Sequence, residues 1–444
     1  MDRSFRGIGP RDEAIPAAPS EHGGGVTTGR PLEGIRICLV FDFSLSHYAR
    51  LLLEIGALQM AGAQVRLLTP NPAAGAPTGG ETVCSPLGPN EELVQSIGSS
   101  AFGWSPFRRA SNTVRKMARS VVWSASSRAN AARYSRRLQG IAEKVDIIWV
   151  IDFPRLGQVL RAARGRHVRV VYETVDLVPE YVYLGLDHRR KCLAEERRLI
   201  GCIDGFITAC ESYADYYVEM YGDAGLLRRP IVRDNMPSEI AGHIKTTTSP
   251  LRFLFLGSLM SDRPILELVE AVAATTTDVT LTFQGKNYLN EGAARRIADR
   301  VAELGLRSRV ELLDPCPPDS IVETASAYDV GVVALRGADE NERRASTAKL
   351  FTCMAAGLAV LGSDLPGIAR IVRSHDNGLL VDGMDPHAWA AAIDRLASMP
   401  TGDLDSMKER SLSAANLYAW KHQQPAYIGE FVRALSSEGR CRRE

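Results

Sequence analysis

Residues 252–257 read RFLFLG, a run of mostly apolar residues that ends at a glycine. Such a run is typical of a strand that is buried on both faces of a parallel sheet. Similar runs follow at intervals that leave room for a helix between them, at residues 279–284, 310–313, 330–334, 358–361 and 378–381. Because parallel strands need crossover helices, this pattern predicts a doubly wound, Rossmann-like α/β domain over residues 251–400.

The first half of the chain alternates in the same way. Further strands are predicted at residues 35–41, 65–68, 145–151, 168–172, 206–208 and 231–233. We therefore expect a second Rossmann-like domain over residues 34–238 and a central cleft between the two domains, where such folds bind ligands. The polar residues 239–250 are interpreted as a linker. Residues 401–444 are expected to form helices that pack back towards the N-terminal domain.

Composition excludes several classes of function. The chain has 444 residues, a formal net charge of +1 and eight dispersed cysteines. The charge argues against a protein that coats nucleic acid, and no apolar run is long enough to span a bilayer. The cysteines indicate reduced thiols in the cytoplasm. Residues 1–33 are rich in glycine and proline and lack the apolar core of a signal peptide, so we expect a disordered tail there.

Two elements of the second half could bind a phosphate group. The first is the turn after the run at 252–257, where Gly257 and Ser258 precede Arg263. A glycine lets backbone amides approach an anion, and a guanidinium can bind phosphate through two hydrogen bonds. Taken alone, this turn could equally be an ordinary strand end that is followed by a solvated arginine.

The second element is a predicted helix that begins near Ser346 and Thr347, carries Lys349 in its first turn and ends at Gly357. A helix N-terminus offers unpaired amides and a partial positive charge, to which Lys349 adds a full charge. An ordinary capped helix is the alternative. Two such elements in one domain favour a ligand that carries a nucleotide, and the absence of GxxxxGK[ST] argues against a P-loop ATPase or GTPase.

These motifs resemble those of GT-B glycosyltransferases, specifically glycosyltransferase family 4. The similarity rests on Arg263 and on residues 253–259, 327–332, 349–357 and 361–367, and more loosely on residues 171–180 and 203–209. It implies that a sugar is transferred from a nucleotide-diphosphate sugar, with retention of configuration and without a metal ion or cofactor. The expected acceptor is a glycan or a lipid-linked sugar, as in polysaccharide biosynthesis.

The resemblance also implies roles for particular residues. Arg263 and Lys349 would stabilise the leaving diphosphate, because positioned cations act best on charge that develops in the transition state. The expected donor-binding residues are Gly257, Ser258, Arg263, Gln284, Gly285, Lys286, Ser346, Thr347 and Lys349.

The chain departs from the family's pattern at two places. Arg344 and Thr352 stand where the family has a pair of glutamates, and Val175 stands where it has a histidine. These departures favour one alternative, a catalytically silent GT-B partner of an active transferase. A weaker alternative is a nucleotide-sugar epimerase with a similar shell of two domains, which would need acid and base carboxylates in the cleft.

Polar residues near the ends of three strands in the first half are candidates for the acceptor site, because ligands gather at the carboxyl ends of parallel strands. They are Asp42, His47, Arg50, Asp152, Glu173 and Asp176. His47 is the candidate general base, since imidazole titrates near neutral pH. Each of these residues could equally cap a helix or be a surface charge.

Residues 93–142 contain nine basic residues and no acidic one. Cations beside aromatic side chains suit the surface of an anionic bilayer. The candidate membrane contacts are Trp104, Arg108, Arg109, Arg115, Lys116, Arg119 and Trp123. A solvated helix face is the alternative, and nucleic acid is not expected as a partner. The expected location is the cytoplasm, with docking on the inner face of the membrane as a hypothesis.

Overall fold

The structure, a computed structural model, describes residues 30–41, 49–68, 81–83, 134–226, 228–247, 249–257, 259, 263–285 and 291–437. Over these ranges the chain forms two α/β domains, each built on one mainly parallel sheet. The predicted pair of doubly wound domains is thereby confirmed.

The N-terminal sheet has seven strands in the described part of the chain, in the order β3-β2-β1-β4-β5-β6-β7. They are β1 Arg36–Val40, β2 Gln64–Leu68, β3 Glu81–Val83, β4 Ile147–Ile151, β5 Arg169–Thr174, β6 Gly205–Thr208 and β7 Ile231–Val232. All neighbours are parallel except β2 and β3. The sequence pattern does not predict β3, because this short strand lies in a stretch whose prolines and glycines indicate a loop.

Helices cover both faces of this sheet. Those described are α1 Ala49–Met60, α2 at residues 134–142, α3 Phe153–Ala163, α4 Leu186–Leu199 and α5 Glu211–Tyr221. Helix α3 shows how the sequence fixes them: Pro154 lies in its first turn, and Leu156, Val159 and Leu160 form its buried stripe at helical spacing. All five residues of β4 are buried, as expected for a central parallel strand.

The C-terminal sheet has six parallel strands over the described residues, in the order β10-β9-β8-β11-β12-β13. They are β8 Leu251–Leu256, β9 Val279–Gln284, β10 Val310–Leu313, β11 Val330–Val333, β12 Ala359–Ser363 and β13 Gly378–Val381. Its helices are α6 Ile265–Ala274, α7 Glu291–Glu303, α8 Ile321–Ala325, α9 Glu340–Arg344, α10 Ala348–Ala355, α11 Pro366–His375 and α12 Pro386–Ala397. Strand β8 comes from the run at 252–257 and lies at the centre of this sheet.

The last two helices divide between the domains. Helix α13, Thr401–Leu417, packs against α10 and β12 of the C-terminal domain. Helix α14, Trp420–Leu435, contacts α1 and strands β5, β6 and β7 of the N-terminal domain. Packing back towards the N-terminal domain, as expected for residues 401–444, is therefore observed for α14 and not for α13.

Two segment boundaries differ from the sequence-based expectation. Leu32 lies in the predicted tail, yet it is fully buried and its amide donates to Ala61 O at 2.9 Å, so that order begins before residue 34. In the predicted linker, the amide of Ala241 donates to Ala355 O at 2.8 Å, and the Thr247 hydroxyl donates to Asp405 Oδ1 at 2.7 Å. Hydrogen bonds thus attach this linker to the C-terminal domain.

No helix in the described part of the chain is both long enough and apolar enough to cross a bilayer.

Candidate active site

A cavity of about 230 Å³ opens at the carboxyl ends of β8 and β9, next to α10. This is the edge where a doubly wound sheet binds ligands. The cavity is lined by Leu256, Gly257, Gln284, Gly285, Pro315, Cys316, Ile321, Ala348, Lys349 and Thr352. Four of the predicted donor-binding residues, Gly257, Gln284, Gly285 and Lys349, therefore meet around one cavity.

Two glycines are required by the close packing of this edge. Gly257 has a φ of +129°, and a Cβ at this position would lie 2.2 Å from Cε of Lys349. A Cβ on Gly285 would lie 1.6 Å from the carbonyl oxygen of Gly257. The Lys349 side chain crosses over Gly257, and its Nζ lies 5.0 Å from the centre of the Phe255 ring. The absence of a side chain at Gly257 thus leaves space for the side chain of Lys349.

The N-terminus of α10 presents one unengaged hydroxyl. Thr347 is the N-cap, but its side chain makes no capping bond, and its buried Oγ1 has no hydrogen-bond partner among the described residues. Ser346 is also buried, and its Oγ donates to the carbonyl oxygen of Gly367 at 3.0 Å. The side chain of Ser346 therefore holds the start of α11 in place, whereas that of Thr347 makes no hydrogen bond to the described residues.

Arg263 lies two residues before the start of α6. Its Nη1 lies 3.0 Å from Glu342 Oε1, and its buried Nε has no hydrogen-bond partner in the described residues. Burial raises the pKa of Asp176 in the N-terminal domain, while hydrogen bonds from Tyr181 and Asn341 and the charge of Arg263 act to lower it. The charge of Arg263, expected at the donor, thus acts on Asp176, expected at the acceptor.

Helix α9 connects the two domains at this point. Oδ1 of Asn341 accepts hydrogen bonds from the Leu177 amide at 2.7 Å and from the Tyr213 hydroxyl at 2.6 Å. Oδ2 of Asp339 accepts from the Val182 amide at 2.9 Å. Sequence reasoning does not find this bridge, because its partners lie more than 120 residues apart in the chain.

The positions of the family's glutamate pair carry other interactions here. Arg344 pairs with Glu219 of the N-terminal domain and with Glu340, in both cases at 2.9 Å, and its guanidinium lies 5.3 Å from the Tyr216 ring centre. Thr352 donates its hydroxyl hydrogen to Ala348 O at 2.9 Å. One position has therefore become an interdomain contact and the other a neutral part of the cavity wall.

Two predicted acceptor residues lie in the protein interior, which corrects their assignment. Glu173 belongs to β5 itself and is fully buried, and Arg50, in the first turn of α1, forms an ion pair with it. Oε2 of Glu173 accepts hydrogen bonds from Trp149 Nε1 at 3.0 Å and from the Tyr427 hydroxyl at 3.1 Å. Neither Arg50 nor Glu173 is exposed to an acceptor in this structure.

This buried charge cluster also contains Glu54 and Arg233. Glu54 Oε1 lies 2.7 Å from Arg50 Nε and 3.2 Å from Arg233 Nε. Burial and the negative charge of Glu173 raise the pKa of Glu54 to about 7, although the two arginines act to lower it. The buried cluster thus combines two cations, Arg50 and Arg233, with two acids, Glu54 and Glu173, inside the N-terminal domain.

Asp152 organises the loop after β5. Its backbone has φ 60° and ψ 161°, a combination that residues other than glycine rarely adopt. Its Oδ1 accepts hydrogen bonds from the amides of Val175 at 2.8 Å and Asp176 at 3.4 Å. Burial and the charge of Asp176 raise the pKa of Asp152 to about 7. Asp152 therefore positions Asp176 and has no direct access to a ligand.

Several predicted residues lie outside the described ranges and stay predictions. They are Asp42, His47, Ser258, Lys286, Trp104, Arg108, Arg109, Arg115, Lys116, Arg119 and Trp123. Within the described ranges, no group of three or more histidine, cysteine, aspartate or glutamate side chains is arranged to hold a metal ion.

Sequence profiles of known families match both domains. The family described as "Glycosyl transferases group 1" matches residues 250–399, and the "Glycosyl transferase 4-like domain" matches residues 48–229. Both profiles describe glycosyltransferases, and together they cover most of the chain. The chain belongs to the family 4 type of glycosyltransferase. The resemblance to family 4 and the GT-B fold are confirmed for this glycosyltransferase.

Curated relatives match this glycosyltransferase over part of their length. The D-inositol 3-phosphate glycosyltransferase of Corynebacterium urealyticum is 33% identical over 133 residues, which are 30% of either chain. The GDP-mannose:cellobiosyl-diphosphopolyprenol alpha-mannosyltransferase of Xanthomonas oryzae is 23% identical over 233 residues, which are 52% of this chain and 58% of that one. The matched segments thus span less than two thirds of each relative.

Solved structures share the fold over most of the chain. HepE of Anabaena, in complex with UDP-glucose, superposes with a TM-score of 0.59 at 14% identity and covers 90% of this chain and 99% of that one. The superposition shows that the two proteins share the fold of two α/β domains.

Proposed function

We propose that this glycosyltransferase transfers a sugar from a uridine or guanosine diphosphate sugar to a glycan or lipid-linked acceptor. The observation that carries the proposal is a set of three buried polar atoms without hydrogen-bond partners among the described residues: Arg263 Nε, Gln284 Oε1 and Thr347 Oγ1. Buried polar atoms nearly always have a partner. Other buried atoms without partners lie in the charge cluster of the N-terminal domain, but these three belong to the expected donor-binding residues, and Gln284 lines the cavity. A bound donor is therefore the proposed source of their partners.

The two cations of this region suit the chemistry of the leaving group. When the bond from the sugar to the diphosphate breaks, negative charge develops on the phosphate oxygens. Lys349 places positive charge in the first turn of α10, whose N-terminus adds a partial positive charge, and Arg263 is expected to supply a second cation. Groups that are held in place before the reaction stabilise such charge most effectively. Retention of configuration, and independence of metal ions and cofactors, follow from the family resemblance as part of this proposal.

The choice of base and acceptor draws on the relatives. The name of the Xanthomonas enzyme specifies a GDP-mannose donor and a diphosphopolyprenol acceptor, and HepE was solved with UDP-glucose. Asp176 is the predicted acceptor residue whose pKa the charge of the donor-side Arg263 acts to lower. We place the acceptor there, between the domains, and keep His47 as the expected general base.

A lipid-linked acceptor would bring the protein to a membrane, and the basic segment at 93–142 is the proposed contact. Each charge near an anionic surface contributes about 1 kcal/mol. Co-sedimentation with liposomes should therefore increase with the fraction of anionic lipid and decrease with added salt. Binding that does not depend on lipid charge would remove this part of the proposal, and with it the expected place at the inner face of the membrane.

A thermal-shift panel of UDP-, GDP- and dTDP-sugars tests the donor. A ligand at 100 times its dissociation constant stabilises the fold by about 2.7 kcal/mol. We expect at least one uridine or guanosine donor to raise the melting temperature. The absence of a shift with every nucleotide sugar would contradict the proposed function.

A catalytically silent GT-B partner is the second candidate, and a specific observation favours it. Arg344 and Thr352 replace the glutamate pair, and Arg344 is engaged in a contact between the domains. A silent partner would bind the nucleotide without releasing it from the sugar, so an assay of nucleoside diphosphate release in the presence of acceptor separates the two. An epimerase would need acid and base groups at the sugar, and no carboxylate is among the described residues that line the cavity.

A further inference from the structure

The cavity of the donor domain has walls that suit a flat aromatic ring. Leu256, Pro315, Ile321 and Ala348 supply apolar surface to it. Apolar walls with a few fixed polar groups are typical of sites that bind heterocycles. The polar atoms that meet the edge of the ring then determine which base is accepted.

Gln284 supplies such an atom. It is the last residue of β9, and 7% of its surface is exposed. Its Nε2 donates a hydrogen bond to Asp314 O at 3.3 Å. Because a carbonyl oxygen can only accept, this bond fixes the orientation of the amide and leaves Oε1 as the acceptor. Oε1 is buried and has no partner among the described residues.

Two of the neighbouring groups do not compete for this acceptor. Pro315 has no N–H, and the Thr352 hydroxyl already donates to Ala348 O at 2.9 Å. A site that contains a buried, unpaired acceptor binds a ligand that donates to it and discriminates against one that cannot. A ligand of this site therefore needs an N–H group that donates to Gln284 Oε1.

We propose that Gln284 is a specificity-determining residue, whose Oε1 accepts a hydrogen bond from the imino N–H of the donor base. This assignment rests on the proposed function, in which the base is uracil or guanine. The imino group is N3–H in uracil and N1–H in guanine. Uracil has no other N–H on its free edge, so a uridine donor has a single group that can meet the acceptor.

Methylation of that nitrogen provides the test, by calorimetric titration of the full chain. We compare UDP with 3-methyl-UDP, and GDP with 1-methyl-GDP, and use whichever parent nucleotide binds. For wild type, the methylated ligand should bind at least about tenfold more weakly, because it cannot donate to Oε1. 5-methyl-UDP carries the same added group on another edge of uracil and should bind like UDP.

Variants connect the effect to the residue. In Gln284→Met, which removes the acceptor at similar size, the parent and methylated nucleotides should bind within about twofold of each other, since neither can form the bond. Gln284→Glu keeps an acceptor oxygen and should keep the preference for the parent. Gln158→Met alters a glutamine of α3 in the other domain, which accepts a hydrogen bond from Arg155, and should behave like wild type.

The outcomes separate this assignment from the proposed function. If wild type binds neither UDP nor GDP, the proposed function itself fails. If wild type binds a nucleotide but tolerates methylation of the imino nitrogen, the role of Gln284 is overturned and the function stands. A loss on methylation that persists unchanged in folded Gln284→Met also overturns it. If Gln284→Met does not fold, the ratio of the affinities for the parent and the methylated nucleotide decides between these results, measured in wild type and in Gln284→Glu.

Discussion

Both domains place charged side chains at the carboxyl edge of their sheets, but they use these charges in opposite ways. In the N-terminal domain, Arg50 and Arg233 are buried against Glu54 and Glu173. In the C-terminal domain, Lys349 lines an open cavity and Arg263 is paired with the partly exposed Glu342. The same type of residue at the same topological place thus belongs to the fold in one domain and to a candidate site in the other.

This difference shows why strand ends alone do not identify binding residues. The edge of a parallel sheet collects polar groups whether or not a ligand binds there. Atoms without hydrogen-bond partners occur in both regions, so what separates the regions is access: each charge of the buried cluster faces an opposite charge in the interior, whereas the donor region borders an accessible cavity. Stability and nucleotide affinity should therefore respond separately to substitutions in the two regions.

The largest expected effect is on stability, from Glu173→Gln. Removing this charge leaves Arg50 in the interior with one carboxylate instead of two, and breaking a buried pair in this way costs about 3–5 kcal/mol. Chemical unfolding of the variant measures the loss. Glu270→Gln, which disturbs the partly exposed pair with Arg300, should cost at most about 1 kcal/mol and serves as the control. Equal losses in the two variants would remove the distinction between the regions.

The next effect is on binding, from Arg263→Ala. Hydrogen bonds to charged groups contribute about 1.5–3 kcal/mol, so nucleoside diphosphate affinity should decrease by about tenfold or more. The unfolding free energy should change little, because the pair with Glu342 is partly exposed. Arg300→Ala removes an arginine of the same domain from outside the cavity and should leave affinity unchanged. Unchanged nucleotide binding in Arg263→Ala would contradict its assignment to the donor site.

A pH effect on stability is expected from Asp152. Its pKa is about 7 in the folded protein, above the 3.8 of a free carboxyl, so the unfolded chain gives up this proton first as the pH increases. Asp152 therefore stabilises the fold least at high pH, and its contribution decreases between about pH 4 and 7 by up to about 1.4 kcal/mol per pH unit. Asp152→Asn keeps the Oδ1 acceptor and removes the titration.

Unfolding free energies of wild type and Asp152→Asn, measured from pH 5 to 7.5, test this expectation. The decrease with increasing pH should be smaller in the variant, while the contribution of Glu54, whose pKa is also about 7, remains in both. Two parallel curves would show that Asp152 does not titrate in this range.

The smallest expected effect comes from Thr347→Val, which removes the unpaired hydroxyl at the start of α10. Nucleotide affinity should decrease by about 3- to 10-fold, the contribution of one hydrogen bond. The unfolding free energy should stay the same or increase, because no bond within the protein is lost. Thr275→Val gives the opposite pattern as a control: its hydroxyl bonds Val272 O and Arg309, so that stability should decrease and affinity should not. A stability loss in Thr347→Val without an affinity loss would assign that hydroxyl to the fold.

The sequence predicts the parts of the molecule that depend on neighbouring residues. The run at 252–257 is observed as β8. Gly257 at its end lies against Lys349, as expected for two elements of one binding site. The turn is predicted from its glycine, and the helix is predicted from the residues at its start. The family resemblance then relates the two, although they lie about ninety residues apart.

The features that the sequence does not predict depend on pairs of residues that lie far apart in the chain. Arg50 and Glu173 are 123 positions apart, and Glu173 and Tyr427 are 254 positions apart. Read singly, an arginine and a glutamate near strand ends resemble ligand-binding groups, and their mutual neutralisation becomes visible only when the sheet brings them together. The same holds for Asn341, whose role as a bridge depends on Leu177 and Tyr213 in the other domain.

A crystal structure of the full chain with a bound uridine or guanosine diphosphate would decide whether the C-terminal domain holds the donor. We expect the base in the cavity beside Gln284 and Cys316, and the diphosphate at Thr347, Arg263 and Lys349, with the buried cluster of Arg50, Glu54, Glu173 and Arg233 unchanged. A nucleotide bound at the buried cluster instead, or anywhere away from the cavity, would contradict the assignment of the two regions.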